Sequence, residues 1–134
     1  MDRTRIRTDE APVPKGSYSQ AMRVGDLVFT SGFGPHDPRT GEVIGSDVAA
    51  QTEQTLRNVD AALRAAGASL ASAVKLTVHL ADLAHFAEFD TVYRQALVEP
   101  WPVRTTVGST LAGILVEIDA VAVVDPGAGA GGAG

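Results

Sequence analysis

The strongest constraint on the fold is a strand-like segment that lies between two helix-like segments. From Val74 to Leu80 the sequence alternates apolar and polar residues, which is typical of a strand with one buried face. Before it, apolar residues recur at helical spacing over residues 48–63, and after it a second apolar stripe extends over residues 83–97. Because two such helices can cover one face of a sheet, the sequence predicts an α+β domain with a mixed sheet.

Start and stop signals predict where the helices and strands begin and end. Ser46 or Asp47 can cap the first helix, and Gly67 is a natural stop for it. Asp82 can cap the second helix, and Pro100 marks the break in the helical pattern that follows this helix. The remaining periodic segments predict strands at about residues 18–24, 27–33, 104–109 and 114–124, with a short first strand at about 5–8.

The second face of the sheet still carries apolar side chains, among them Val24, Leu115 and Val121. In a chain of 134 residues, self-association is the simplest way to bury that face. The last nine residues, 126–134, contain only proline, glycine and alanine, which cannot bury much side-chain area. We therefore expect a domain over residues 1–125 that forms a homo-oligomer, followed by a flexible tail.

Composition narrows the classes of function. The formal net charge is −5, so the chain lacks the general basic character that favours nucleic-acid binding. There is no cysteine, which excludes disulfides, thiolate nucleophiles and cysteine-ligated metals. No apolar segment is long enough for a membrane span, and the first residues lead into no signal-peptide core. We expect a cytoplasmic protein with no membrane or nucleic-acid partner.

Common catalytic motifs are weak or missing. The three histidines, His36, His79 and His85, show no metal-ligand spacing, so no metal site is predicted. No nucleophile-elbow pattern is present. The glycines of residues 32–34 follow a strand, but they lack the third glycine, the lysine and the helix of a phosphate-binding loop.

The last two predicted strands carry the most informative charges. Glu117 and Asp119 interrupt an apolar run, and a charge in such a run is either paired or used. If the strands formed a hairpin about residues 111–112, Arg104 would face Asp119, and Thr106 would face Glu117. Arg104 and Glu117 would then be diagonal neighbours on one face. Arg104 could then bind a carboxylate while Glu117 positions a water. A purely structural arginine–acid pair is the alternative, and the pattern alone favours it.

Several segments form a recognisable pattern through their order and spacing. They are residues 11–12, 16–21 (Gly-Ser-Tyr-Ser-Gln-Ala), 24–32, 37–42, 51–52 with 58–59, 102–107 (Pro-Val-Arg-Thr-Thr-Val) and 115–122 (Leu-Val-Glu-Ile-Asp-Ala-Val-Ala). Together they resemble the Rid (reactive intermediate deaminase, YjgF-like) family, and the resemblance covers nearly the whole chain except the tail.

This resemblance implies a chorismate-mutase-like fold, a homotrimer with sites in the clefts between subunits, and no cofactor. It implies that Arg104 binds the substrate carboxylate and that Glu117 holds the attacking water. Tyr18 and the backbone around Ser31 and Gly32 would line the same cleft. The implied substrates are 2-aminoacrylate and its imine tautomers, 2-iminopropionate and similar compounds, which are hydrolysed to 2-oxo acids and ammonia.

The sequence departs from the family pattern at several of these positions. Ser17 stands where proline is usual, and Phe33 and Gly34 replace a common glutamine–aliphatic pair. Thr106 replaces a frequent cysteine, and Asp90 replaces an asparagine on the second helix. Thr106 and Asp90 are still expected to line the substrate site, and the changes leave the choice of substrate open.

Two other classes of function stay open. The chain can be a related enzyme dedicated to one imine, enamine or similar intermediate of a single pathway. It can also be a non-catalytic trimer that binds small acids, although the presence of both Arg104 and Glu117 argues against this. Nuclease activity is the weakest candidate because of the acidic charge.

Overall fold

The computed structural model describes residues 1–125, and the predicted flexible tail lies outside them. Six strands and two α-helices follow the predicted order, with short 3₁₀ helices at Leu70–Ser72 and Leu83–His85. Several strands are shorter than predicted, and Tyr18 and Phe33 lie in loops beside their strands. The elements are β1 (Arg3–Ile6), β2 (Ala21–Val24), β3 (Leu27–Thr30), α1 (Val48–Ala65), β4 (Ala73–Leu80), α2 (Phe86–Ala96), β5 (Val103–Gly108) and β6 (Val116–Val123).

The strands form one mixed sheet in the order β1-β2-β3-β6-β4-β5. Strand β5 pairs in parallel with β4, and β6 pairs antiparallel with the other edge of β4. The hairpin between the last two strands, predicted about residues 111–112, was therefore wrong. The physical reason is the unit β4–α2–β5, because a strand–helix–strand connection makes its two strands parallel neighbours. The next strand then pairs on the free side of β4.

Local sequence signals explain where the helices begin and end. Of the two predicted caps, Asp47 is the one used, since its carboxylate accepts a hydrogen bond from the Ala50 backbone N–H. Helix α1 ends just before Gly67, which has a φ of 86°, a value that glycine adopts without strain. Asp82 caps the 3₁₀ helix that leads into α2 rather than α2 itself.

Both helices lie on one face of the sheet, where the main core is formed. Residues that pair across neighbouring strands share a face of the sheet. Leu76 points toward the helices and pairs with both Arg104 and Ala120, so these two side chains lie on the helix side as well. Buried side chains of the sheet meet those of α1 and α2 there. The larger ones are Leu56, Val59, Leu63, Leu76, Val78, Leu80, Phe89 and Ile118.

The other face of the sheet, here called the open face, is covered by no element among residues 1–125. His79 pairs with both Val107 and Glu117, so Glu117 points to this side. The cross-strand pair Phe29–Val121 lies on the same side, and the Phe29 side chain is exposed. The prediction that the second face of the sheet is left uncovered within one chain is confirmed for the described residues. Within the described part of the chain, no helix is long and apolar enough to cross a membrane.

Two buried amide side chains fix the loops beside the open face. The Gln20 amide donates to the carbonyls of Thr8, Ala11 and Pro12, and its oxygen accepts from the Thr8 backbone N–H. Asn58 of α1 donates to the carbonyls of Gly34 and His36. Because these carbonyls are tied to core elements, the loops on both sides of Gly32 have a defined course.

Candidate functional site

A cleft of about 270 Å³ forms around the carboxylate of Glu117. Its walls come from the loop before β2, the loop after β3 and strand β6. The Tyr18 hydroxyl accepts a hydrogen bond from the Lys15 backbone N–H at 3.2 Å, which holds the phenol ring at the cleft. We call this cavity the Glu117 cleft; Lys15, Tyr18, Gly32, Phe33, His36 and Glu117 are among its lining residues.

Gly32 lets the Glu117 carboxylate lie directly against the backbone. A Cβ atom at position 32 would come within 2.8 Å of Glu117 Oε2, closer than real Cβ contacts allow. A side chain at position 32 would therefore displace the Glu117 carboxylate from its place against the backbone. Three of the residues predicted to form the site, Tyr18, Gly32 and Glu117, thus line one cavity.

Sequence reasoning missed Lys15 and His36, which are among the basic residues that line the Glu117 cleft. His36 is partly buried, and its imidazole lies against Gly34, where an added Cβ would be 2.9 Å from Cε1. Burial and the Lys15 ammonium hold the pKa of His36 below its usual value, while Glu117 opposes this shift. No periodic signal marks either residue, because both lie in loops.

Arg104 lies in a cage of aromatic rings on the helix face of the sheet. Its Cζ atom is 4.6 Å from the ring centroid of Tyr93, 5.3 Å from Phe86 and 5.7 Å from Phe89. The three rings come from one stripe of α2 at spacings of three and four residues. Guanidinium groups stack well on such faces. The sequence predicted this aromatic stripe as core and gave no sign that it would surround Arg104.

Asp90 of the same helix holds one end of the guanidinium. Arg104 Nη1 donates to Asp90 Oδ1 at 2.7 Å, and both side chains are about four-fifths buried. The pair lines a second cavity, of about 460 Å³, which we call the Arg104 cleft. Its other lining residues are Tyr93, Arg94, Glu99, Trp101 and Pro102.

Within one chain the two clefts are separate. Strand β4 lies between the strands that carry Arg104 and Glu117, so those strands are about 10 Å apart, or two strand spacings. The two side chains also point to opposite faces. The prediction that Arg104 and Glu117 are diagonal neighbours, with Arg104 facing Asp119, was wrong. Asp119 instead pairs with Thr77 on the open face.

Neither cleft is lined by the remaining predicted site residues. Ser31 is partly buried and its hydroxyl donates to the Gln20 carbonyl at 3.3 Å. Thr106 shares the helix face with Arg104, two residues further along β5, and pairs with Val78. Among residues 1–125, no group of three or more histidine, aspartate or glutamate side chains is placed to hold a metal ion.

Comparison with known proteins places this geometry in a family. The sequence profile of the family described as Endoribonuclease L-PSP matches residues 8–124. One similar protein is Reactive Intermediate Deaminase A, chloroplastic, of Arabidopsis thaliana. It is 39% identical over 119 residues, which cover 87% of this chain and 64% of that protein. The chain belongs to the Rid, or YjgF-like, family.

Other Rid relatives match over nearly their full length. A RutC family protein of Pyrococcus abyssi is 42% identical over 119 residues, which cover 87% of this chain and 94% of the relative. The 2-iminobutanoate/2-iminopropanoate deaminase of Bos taurus is 37% identical over 123 residues, 90% of each chain. Some of the relatives of this Rid protein are thus named deaminases.

A solved structure shows the same fold. The crystal structure of E. coli TdcF with bound serine superposes with a TM-score of 0.83 at 36% identity, covering 91% of this chain and 99% of that one. The two helices on a mixed six-stranded sheet are therefore the Rid fold. Phe33, which departs from the Rid pattern, is buried and forms a bridge to Ile118 in that sheet.

Proposed function

We propose that this Rid protein hydrolyses 2-imino acids and their enamine tautomers, such as 2-iminopropionate and 2-aminoacrylate, to 2-oxo acids and ammonia. The observation that carries the proposal is the arrangement of groups around the Arg104 guanidinium. Its guanidinium is stacked and anchored at one nitrogen, and it lines an open cavity of suitable size for a small acid. The deaminase name of the Bos taurus relative and the serine bound to TdcF are consistent with a small amino-acid-like ligand.

We also propose that one complete site forms between two chains. Arg104 and Glu117 lie on opposite faces of the sheet, so one small substrate cannot contact both within one chain. The open face carries exposed apolar side chains such as Leu27 and Phe29, which favour association of identical chains. A homotrimer, in which Arg104 of one subunit approaches the Glu117 cleft of the next, satisfies both requirements.

In this site each group has a separate task. Arg104 binds the substrate carboxylate and fixes the position of the imine carbon. Glu117 orients a water molecule and accepts its proton as the oxygen attacks that carbon, which gives a carbinolamine. Proton transfer to nitrogen then allows the C–N bond to break, and ammonia leaves as the carbonyl forms. Positioning and electrostatics supply most of the acceleration, since free imines already react with water.

The neighbours of Glu117 favour this chemistry. Gly32 allows the carboxylate to approach the backbone closely, and His36 supplies an imidazole with a lowered pKa in the same cleft. The net charge of −5 favours a small substrate over the ribonucleic acid suggested by the family description.

The proposal is tested by imine clearance. An amino-acid oxidase generates 2-iminopropionate in situ, and its disappearance is followed with the wild type, Arg104→Ala and Glu117→Gln. We expect the wild type to accelerate clearance and Arg104→Ala to lose about 10²-fold or more of that activity, because the substrate loses its anchor. Glu117→Gln should slow clearance by roughly 10²-fold or more while still binding small acids.

The outcomes separate the remaining functions. Unchanged activity of Arg104→Ala would exclude its role as an anchor. A folded and oligomeric wild type that does not accelerate clearance would point to an imine or enamine of one pathway, or to a binding protein. If Glu117→Gln mainly dissociates the subunits, the role of Glu117 is structural.

A further inference from the structure

The Asp90–Arg104 ion pair leaves hydrogen-bonding positions free on both partners. Among residues 1–125, the one hydrogen bond of good geometry from Arg104 joins Nη1 to Asp90, and the Tyr93 hydroxyl interacts more weakly with the guanidinium. Arg104 has five N–H groups, so it can still donate to a ligand. Asp90 Oδ1 accepts from Arg104, and Oδ2 accepts from Arg94 Nε at 3.3 Å. A carboxylate has about four acceptor positions, so Asp90 can still accept from a ligand.

The position of this pair is fixed by its surroundings. The rings of Phe86, Phe89 and Tyr93 limit the guanidinium to one place, and Asp90 comes from the same helical stripe as these rings. The side chains of Asp90 and Arg104 retain 20% and 23% of their exposure. A ligand in the Arg104 cleft therefore meets one positive and one negative group side by side, in a partly desolvated setting where charge-assisted hydrogen bonds are stronger.

The charge of the cavity as a whole is balanced. Four charged side chains line it: Arg94 and Arg104 are positive, and Asp90 and Glu99 are negative. A lone arginine would favour a simple anion, whereas a neutral site with separated charges favours a ligand that has both signs. A 2-imino acid with a protonated nitrogen is such a ligand, because its carboxylate and iminium group are separated by one carbon atom.

We propose that Asp90 and Arg104 together recognise the zwitterionic end of the substrate. Arg104 binds the carboxylate, and Asp90 accepts a hydrogen bond from the protonated nitrogen. This inference rests on the proposed function and specifies the charge state of the substrate that the site takes. Asp90 then acts as a specificity residue, since the iminium form is also the more electrophilic one.

The same arrangement discriminates substrate from product. Hydrolysis replaces the positive nitrogen with a neutral carbonyl oxygen, which cannot donate to Asp90. The 2-oxo acid carries a net negative charge, and Asp90 repels it. The pair therefore binds the imino acid more tightly than the 2-oxo acid, which assists release of the product.

Stable analogues test this inference without turnover. Alanine, lactate and propionate differ only in having an ammonium, a hydroxyl or a hydrogen at the second carbon. Their dissociation constants are measured by ligand-detected NMR with the full-length wild type, using both enantiomers of the chiral ligands. We expect alanine to bind roughly tenfold more tightly than lactate or propionate, the effect of one charge-assisted hydrogen bond in a partly buried site.

The Asp90→Asn variant assigns the preference to Asp90. Asparagine can still accept the hydrogen bond from Arg104, but it has no charge to attract the ammonium or to neutralise the guanidinium. We expect the ratio between propionate and alanine dissociation constants to fall to about one, partly through tighter binding of propionate. Glu53→Gln is the matched control, because it removes one charge from an exposed pair with Arg57 on α1 and should keep the wild-type ratio.

Each measurement can overturn either the inference about Asp90 or the proposed function. Equal binding of alanine and lactate by the wild type overturns the inference, and this holds even if Asp90→Asn does not fold. An unchanged ratio in folded Asp90→Asn also overturns it. Ratios near one in a wild type that clears imines overturn this inference alone. Unchanged clearance by Arg104→Ala overturns the proposed function by a separate measurement.

Discussion

Arg104 and Glu117 point to opposite faces of one sheet, from two strands that are separated by β4. Arg104 lies among the rings of α2, and Glu117 lies on the face that no helix covers. This relationship separates the proposed anchor from the proposed water-positioning group by more than the size of the substrate. It leads directly to an expectation about mixed oligomers.

Mixing two inactive variants should restore activity if the site is shared. Arg104→Ala and Glu117→Gln chains are unfolded together, refolded together, and assayed for imine clearance. In a random mixture, about one quarter of the interfaces combine an intact Arg104 with an intact Glu117, so about one quarter of wild-type activity should return.

The control for this experiment is the double variant that carries both changes in one chain. When the double variant is mixed with wild-type chains, an interface is intact only where two wild-type chains meet. The activity of this mixture should therefore not exceed that of its wild-type chains alone. Activity that stays at the level of the separate variants, in a mixture shown to contain hybrid oligomers, would mean that each chain works alone.

Gly32→Ala should disable the Glu117 cleft while the fold remains. The added Cβ would lie 2.8 Å from Glu117 Oε2, so the carboxylate must move. A displacement of about 1 Å at a reacting group can cost roughly 10²-fold in rate, and we expect a loss of that size in clearance. Gly16→Ala is the control, because its nearest neighbour would be at an ordinary 3.6 Å. Equal activity of both variants would contradict the proposed position of Glu117.

Tyr93→Phe should stabilise the protein. The Tyr93 hydroxyl is buried and makes no hydrogen bond of good geometry among residues 1–125, although it lies close to the Arg104 guanidinium; burial raises the pKa of this phenol, and Arg104 opposes the shift through its charge and a weak hydrogen bond. Removing a poorly paired buried hydroxyl relieves about 1 kcal/mol, while the ring remains beside the guanidinium. Urea unfolding measures the change. A loss of stability would show that the hydroxyl has a partner in the assembled protein.

Asp119→Asn should stabilise the protein in neutral but not in acidic solution. Burial raises the pKa of Asp119 above its ordinary value of 3.8, although His79 and Lys75 oppose the shift. The folded protein therefore holds this proton more tightly than the unfolded chain, and stability is lost as the pH rises through the two pKa values. The amide avoids that loss.

Denaturation at several pH values checks the sign. The free energy of unfolding of Asp119→Asn should exceed that of the wild type above the raised pKa, and the difference should vanish in acid. Glu53→Gln, an exposed change on α1, should show little difference at any pH. A less stable Asp119→Asn at neutral pH would mean that attraction by Lys75 and His79 outweighs the cost of burial.

Local elements of this fold were predictable because their signals are local. The alternation before Leu80 and the apolar stripe of α2 depend on residues a few positions apart. The caps at Asp47 and Gly67 were equally visible, and the structure confirms both. Strand order depends instead on which edge of β4 each later strand takes. The strand–helix–strand rule, applied to β4 and β5, would have excluded the hairpin.

The candidate site was predictable only in part, for a related reason. Family resemblance identified Arg104, Glu117, Tyr18 and Gly32 as positions of interest. The resemblance does not say, however, which strands pair or how their residues are aligned. The cage around Arg104 forms when α2 packs over β5, which the helical stripe alone does not reveal. His36 lies in a loop, where no periodicity marks a side chain as part of a cleft.

The bonds from Asn58 to the Gly34 and His36 carbonyls have a practical consequence. They act on the backbone alone, and they come from a buried amide in α1. The course of this loop is thus independent of which side chain stands at position 36. Libraries at His36 can change what the wall of the Glu117 cleft presents to a substrate without a need to redesign the loop that carries it.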